Sequence, residues 1–224
     1  MSETTARLRI TRRSGKVHVI AEPGSSLAVD GGTFVENADG TVDVRSVQSG
    51  VLEVRCPTGS DLTISTASGA VEVEGDAGSV KVTTKSGNLS IERATAVDAR
   101  GASGRVKVGV CTGRCHVVFV SSNVRIDEAA QAVVATVSGN IELGSVDDAE
   151  VKTVSGNISL GANKGGRLAA RSISGAVKIS LPAGSRPATR LKAVSGHVRN
   201  ECEPGHDGEV RAATVSGAIS VTCR

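Results

Sequence analysis

Apolar and polar positions alternate along most of this chain. Val71 and Val73, Leu89 and Ile91, Ile141 and Leu143, Ile158 and Leu160, and Ile219 and Val221 are pairs two residues apart. A period of two predicts strands with one buried face. A second alternating run stands just upstream in several places: Val80, Val82, Thr84 and Ser86, then Val134, Thr136 and Ser138, then Val151, Thr153 and Ser155. The two runs meet at a Ser-Gly pair, where glycine gives the corner a backbone freedom other residues lack. The predicted unit is therefore strand, Ser-Gly corner, strand and polar return.

The unit recurs. Thr136–Leu143 reads TVSGNIEL, and Thr153–Leu160 repeats it as TVSGNISL seventeen residues later. The marker serine falls at Ser49, Ser68, Ser86, Ser103, Ser121, Ser138, Ser155, Ser174, Ser195 and Ser216, in steps of 17 to 21 residues. Ser122 replaces the glycine after Ser121, and Ser14-Gly15 is an isolated eleventh copy. All five prolines lie in the returns, where no ladder hydrogen bond is lost. A period this short is the signature of stacked repeats. The expected fold is all-β: a single-stranded parallel β-solenoid of about ten to eleven rungs, 17–21 residues each. Equivalent residues would form columns about 4.8 Å apart. An antiparallel sandwich, the alternative, would not need a serine recurring in one column. Residues 1–45 are expected to form an irregular β capping segment, and residues 46–224 the repeat domain. The last copy, Ser216–Arg224, ends without a polar return and is expected to be an open stacking edge.

The repeated Ser-Gly-x-[Ile/Val/Leu]-x-[Ile/Val/Leu] phrases, with the entry phrase Pro57-Thr58-Gly59-Ser60-Asp61-Leu62, resemble a bacterial β-strand-repeat family of adhesin-like proteins. Its domains are also called toastrack domains, found in phage-shock and envelope-stress systems. The resemblance covers roughly residues 40–224. It implies the solenoid fold and a domain of unknown function. It brings no catalytic motif.

Composition narrows the functional classes. The core residues are Val, Ile, Leu and Ala, with two Phe and no Tyr or Trp, which argues against stacking on bases or sugars. The net charge of +3 is spread along the chain, so no nucleic-acid partner is expected. Neither a signal-type apolar run nor a membrane span is visible, so the expected location is cytoplasmic, with a membrane-peripheral position as the variant.

Candidate chemistry is sparse. Cys202 and Cys223 each lie seven residues after their marker serine, so they should sit in one column on adjacent rungs. In a cytoplasmic chain they read as two buried thiols rather than a bridge. Cys111 and Cys115-His116 resemble half a metal site without a second pair, so no metal and no cofactor are expected. His18, His116, His197 and His206 are scattered, and Asp147-Asp148 reads as a turn; no catalytic residue is assigned. Asn123, Asn140 and Asn157 follow three consecutive corners and predict a stacked amide ladder.

One pattern is not explained by the core. The residue before the marker serine has outward parity. It is Gln48, Ala67, Lys85 and Ala102 in early repeats, then Val120, Val137, Val154, Ile173, Val194 and Val215. Two residues earlier, also outward, stand Lys152, Arg171 and Lys192. An aliphatic stripe beside a cationic one is the candidate interaction face. The expected function is a non-catalytic scaffold presenting solenoid faces and ends for self-association or partner docking, in the envelope-stress or cell-surface setting the resemblance implies. Expected partners are a protein or a second copy, with peripheral contact to an anionic membrane as a further option. An adhesin-like glycan- or ligand-binding module is the alternative, and a β-helical carbohydrate enzyme the third reading.

Overall fold

The computed structural model describes residues 5–24, 26–46, 50–163 and 166–224. Gln48 and Ser49, members of two of the columns above, lie outside the described residues. Seventeen strands are seen among those described: β1 (Arg7–Arg12), β2 (Lys16–Glu22), β3 (Ala28–Asp30), β4 (Thr33–Glu36), β5 (Thr41–Ser46), β6 (Val51–Pro57), β7 (Asp61–Ser68), β8 (Val71–Ser86), β9 (Leu89–Ser138), β10 (Ile141–Ser155), β11 (Ile158–Ala162), β12 (Arg167–Ser174), β13 (Val177–Leu181), β14 (Ala188–Ser195), β15 (Val198–Asn200), β16 (Glu209–Ser216) and β17 (Ile219–Cys223). Fifteen of them pair in parallel as solenoid rungs, and β3 and β4 pair antiparallel. The chain divides into two compact units, Met1–Thr112 and Gly113–Arg224.

Inward parity holds throughout. Leu62, Ile64, Val80 and Val82 are buried in the first unit, and Ile141, Leu143, Ile158 and Leu160 in the second. Register is kept residue for residue between rungs: Ile141 faces Ile158, Leu143 faces Leu160, and Ser155 faces Ser174. At the corners the glycines are doubly required. Gly156 and Gly175 have φ of 152° and 147°, and a Cβ on either would lie 2.1 Å from the carbonyl oxygen of the glycine one rung away. Below three of the corners, Thr66, Thr84 and Thr136 are buried and donate their hydroxyls to the Ser68, Ser86 and Ser138 carbonyls, whereas the equivalent Thr153 hydroxyl is buried without a hydrogen bond. The amide ladder takes a specific form. Asn123 Oδ1 accepts from the Asn140 backbone N–H at 2.9 Å, Asn140 Oδ1 from Asn157, and Asn157 Oδ1 from Ala176.

The order of rungs departs from chain order in each unit. In the first unit, β1 pairs in parallel with both β5 and β7, and β2 with both β6 and β8. Residues 7–22 are thus an interior rung with their own Ser14-Gly15 corner. Capping falls instead to β3 and β4, which pair antiparallel with β6 and β5. Arg12 holds this inserted rung. It takes the buried column place that threonine fills elsewhere, and its guanidinium donates to the carbonyls of Ser14, Lys16 and Gly50.

The second unit mirrors this. β12 pairs with β16, not with β14, and β13 with β17. β14 and β15 then pair on the far side of β16 and β17. The C-terminal repeat is therefore an interior rung and not the stacking edge its sequence position suggests. The outermost rung is 188–200. Cys202 and Cys223 form a disulfide with Cα atoms 5.4 Å apart, which corrects the expectation of two thiols. The column geometry expected from their spacing is what permits the bond.

Candidate functional site

The outward stripe lies in the second unit. Val137, Val154, Ile173, Val194 and Val215 are all exposed, from 40% for Val154 to 71% for Val194. Their spatial order is not their chain order. Ser174 faces Ser216, and Ser216 faces Ser195, so Val215 stands between Ile173 and Val194. The cationic column is rearranged in the same way. Lys152 faces Arg171, but Arg171 faces Ala213, and Ala213 faces Lys192. A methyl group thus separates two long cationic side chains.

That dip makes a groove of about 430 Å³. Ala213 and Thr214 line it with Ile173, Val215 and Val194, and Arg171 and Lys192 rise on its sides. It crosses β10, β12, β16 and β14, three inter-strand steps, or about 14 Å. Lys152 is held by Glu150 at 2.6 Å. The hydrogen bond from Lys152, its charge and the more distant charge of Arg171 hold the Glu150 carboxyl below the usual glutamate value. Arg171 and Lys192 have no ion-pair partner among the described residues. The groove therefore offers two uncompensated cations around an aliphatic bed.

Other concentrations of charged groups are largely engaged with one another, although His18 Nε2 is buried and makes no hydrogen bond. A hollow of about 550 Å³ near Arg114, Asp148, Glu150 and Arg167 contains two carboxylates. Asp148 Oδ1 accepts from the Arg167 backbone N–H, and Glu150 is paired with Lys152. In the first unit, β2 and β8 bring together His18, Glu72 and Glu74, whose ligand atoms lie within 4.8 Å of one another. Sequence reasoning missed this cluster because its members are 54 and 56 residues apart and meet only through the inserted rung. These residue types could hold a divalent cation. Here Lys16 occupies Glu72, holding its carboxyl below the usual value chiefly by a hydrogen bond, and His18 stands 3.1 Å from Glu74. A cation would have to displace the ammonium. Cys56, Cys111 and Cys115 are buried and form no disulfide, and His116 is not a member of the His18 cluster.

The model of the family called Toastrack DUF4097 matches residues 2–222. The chain belongs to the toastrack family. No curated protein matches it. Among solved structures, a "putative cell adhesion protein" from Clostridium sporogenes aligns at 10% identity over 99% of this chain and 94% of its own, with a TM-score of 0.23. Among the described residues, no helix is long and apolar enough to cross a membrane.

Proposed function

We propose that this toastrack chain is a non-catalytic docking module whose outer groove binds a short, extended polypeptide segment carrying acidic and aliphatic side chains. The observation behind it is Ala213 between Arg171 and Lys192, which opens an aliphatic bed between two unpaired cations. A groove of about 14 Å matches about four extended residues. Two carboxylates on such a segment would meet Arg171 and Lys192, and intervening aliphatic side chains would cover Ile173 and Val215. A bidentate pair with Arg171 would fix orientation. No aromatic residue lines the groove, so sugar stacking has nothing to work with there. The carboxylates of the nearby hollow are engaged, which disfavours acid–base chemistry.

The test uses a fluorescein-labelled peptide alternating Glu with Ile, a control with Lys for Glu, and vesicles containing phosphatidylserine. Ala213→Arg fills the groove from an outward position, so melting should stay within about 0.5 kcal/mol of the parent, as for surface changes generally. The acidic peptide should bind the parent, and Ala213→Arg should weaken it about tenfold or more. Equal binding of the Lys control, or peptide binding untouched by Ala213→Arg, would overturn the reading. Vesicle binding that depends on Ala213 while the peptide fails to bind would replace the polypeptide with a lipid surface.

A further inference from the structure

One strand edge in each unit carries a marked charge, and the two are opposite in sign. Residues 26–44, which include β3 and β4, hold Asp30, Glu36, Asp39 and Asp43 and no Lys or Arg. Residues 186–200, which include the outermost rung of the second unit, hold Arg186, Arg190, Lys192 and Arg199 and no Asp or Glu. Some of this charge is used locally. Asp43 lies 3.7 Å from Arg9, and Arg186 and Arg199 pair with Glu203 and Glu201. Asp30 and Glu36 at one end, and Arg190 and Lys192 at the other, have no ion-pair partner among the described residues.

Both ends also leave the core uncovered. In β16 the inward residues Val210, Ala212 and Thr214 are buried. Their counterparts on the outermost strand, Thr189, Leu191 and Ala193, are only half-buried. On β15, Val198 has the inward parity of buried Ile219 yet is 47% exposed. At the other end, Phe34 faces buried Val44 and Val29 faces buried Val54, yet Phe34 is 50% exposed. Among the described residues, β14 and β15 are paired on one side only, as are β3 and β4. Each end is thus an open sheet edge over an incompletely covered apolar column, and such an edge invites another strand.

The strands correspond in position. β14 and β5 both precede a Ser-Gly pair in the sequence, and β15 and β6 both follow one. β4 lies on β5 and β3 on β6, each reversed in direction. We propose that copies of this chain associate head to tail, with the basic β14–β15 edge of one copy seated on the acidic β3–β4 edge of the next. β14 meets β4 and β15 meets β3 in antiparallel pairs. Leu191 and Val198 then cover Phe34 and Val29, and the basic side chains of β14 and β15 lie along the edge that carries Asp30 and Glu36. Joining like ends would set cation against cation or carboxylate against carboxylate, so the charge selects the heterologous contact. A heterologous contact produces rings or open chains rather than a two-fold dimer. β14 also lines the groove through Lys192 and Val194, but this contact is made by its open strand edge, and the inference stands without the docking reading.

Sedimentation velocity across a concentration series, at low and high salt, reads the contact. The parent should associate with concentration, and less so at high salt, because exposed charges are screened beyond about 10 Å at 0.1 M. Arg190→Glu with Arg199→Glu makes both ends acidic, and Asp30→Lys with Glu36→Lys makes both basic. None of these four residues lines the groove. Each doubly changed chain alone should lose association by about a hundredfold or more. An equimolar mixture of the two should recover it, because every basic end then finds an acidic one. Far-UV circular dichroism establishes that both chains are folded, and a variant that unfolds is replaced by Val198→Glu, which blocks the same edge through its apolar column. A parent that stays monomeric at every concentration and salt would overturn the proposal. So would association that survives both end reversals, or folded variants whose mixture fails to associate. Association lost in Ala213→Arg but kept in the end variants would place the contact in the groove and also overturn it.

Discussion

At the residue scale, the solenoid works by making one column do one job. The corner glycines accept a backbone that L side chains rarely adopt, and at corners such as Gly156 and Gly175 the rung beside them leaves no room for a Cβ. The place below the corner wants a short hydroxyl, because the turn leaves a carbonyl to satisfy. Arg12 fills that place with a long donor that satisfies three carbonyls at once. Cys56 shows what the core does to a titratable group. It is fully buried, and desolvation raises its thiol above the ordinary value of 9.0. A raised pKa means the folded state keeps the proton that the unfolded state releases. The stability tied to Cys56 is therefore complete below pH 9 and falls as pH rises from there through the folded-state value. Between those values the slope is about 1.4 kcal/mol per pH unit for one proton. Chemical denaturation of the parent and Cys56→Ala in steps above pH 9 should show a steeper fall in the parent. Parallel curves would mean that the Cys56 thiolate is not excluded.

At the scale of elements, strands and corners were legible in the sequence because period-two alternation leaves only one way to bury Ile141, Leu143, Ile158 and Leu160 together. The order of rungs was not legible from the same signal. Each rung offers nearly the same edge, so parity alone does not decide which rung sits beside β12. The discriminating signal is step length. Within the regular array the steps are mostly 17 or 18 residues, whereas Ser174 to Ser195 and Ser195 to Ser216 each take 21. The added residues let the chain pass one place outward and return to fill the gap. The same reordering hid the groove, because the sequence sets Arg171 next to Lys192 while the fold puts Ala213 between them. The bridge belongs to this scale. It ties the tail of the outermost rung to the end of the inserted one and closes a loop of 21 residues. Thiol titration of denatured, unreduced protein should find three free groups, Cys56, Cys111 and Cys115. Reduction should cost the second unit about 3 kcal/mol by the loop-closure argument. Five free thiols would show that the bridge does not form in the isolated protein. The bond also suits an oxidising compartment, which bears on the cytoplasmic location expected from the sequence.

At the scale of the whole molecule, the inserted rungs change what a chain end means. In an ordinary solenoid each repeat touches only its sequence neighbours, and a terminal repeat can be trimmed at the cost of one interface. Here the first rung of the sequence contacts β5–β6 on one side and β7–β8 on the other. Removing residues 1–23 therefore deletes two interfaces and leaves β5 and β6 without their parallel neighbours. Leu52, Val54, Val42 and Val44, buried in the intact protein, would lose the Val17, Val19, Leu8 and Ile10 side chains stacked upon them. Among the described residues, β3 and β4 pair only with β6 and β5. The expected outcome is that residues 28–57 of the truncated chain become open to limited proteolysis and exchange their amide hydrogens rapidly, while β10–β13 in the second unit stay protected. Supplying residues 1–23 as a separate peptide should restore protection to 28–57, because the empty place is bounded by two edges already in register. Protection of 28–57 in the truncated chain without the peptide would mean that β5–β6 closes directly onto β7–β8. The inserted rung would then be dispensable, and the end of the unit would behave like that of any sequential solenoid.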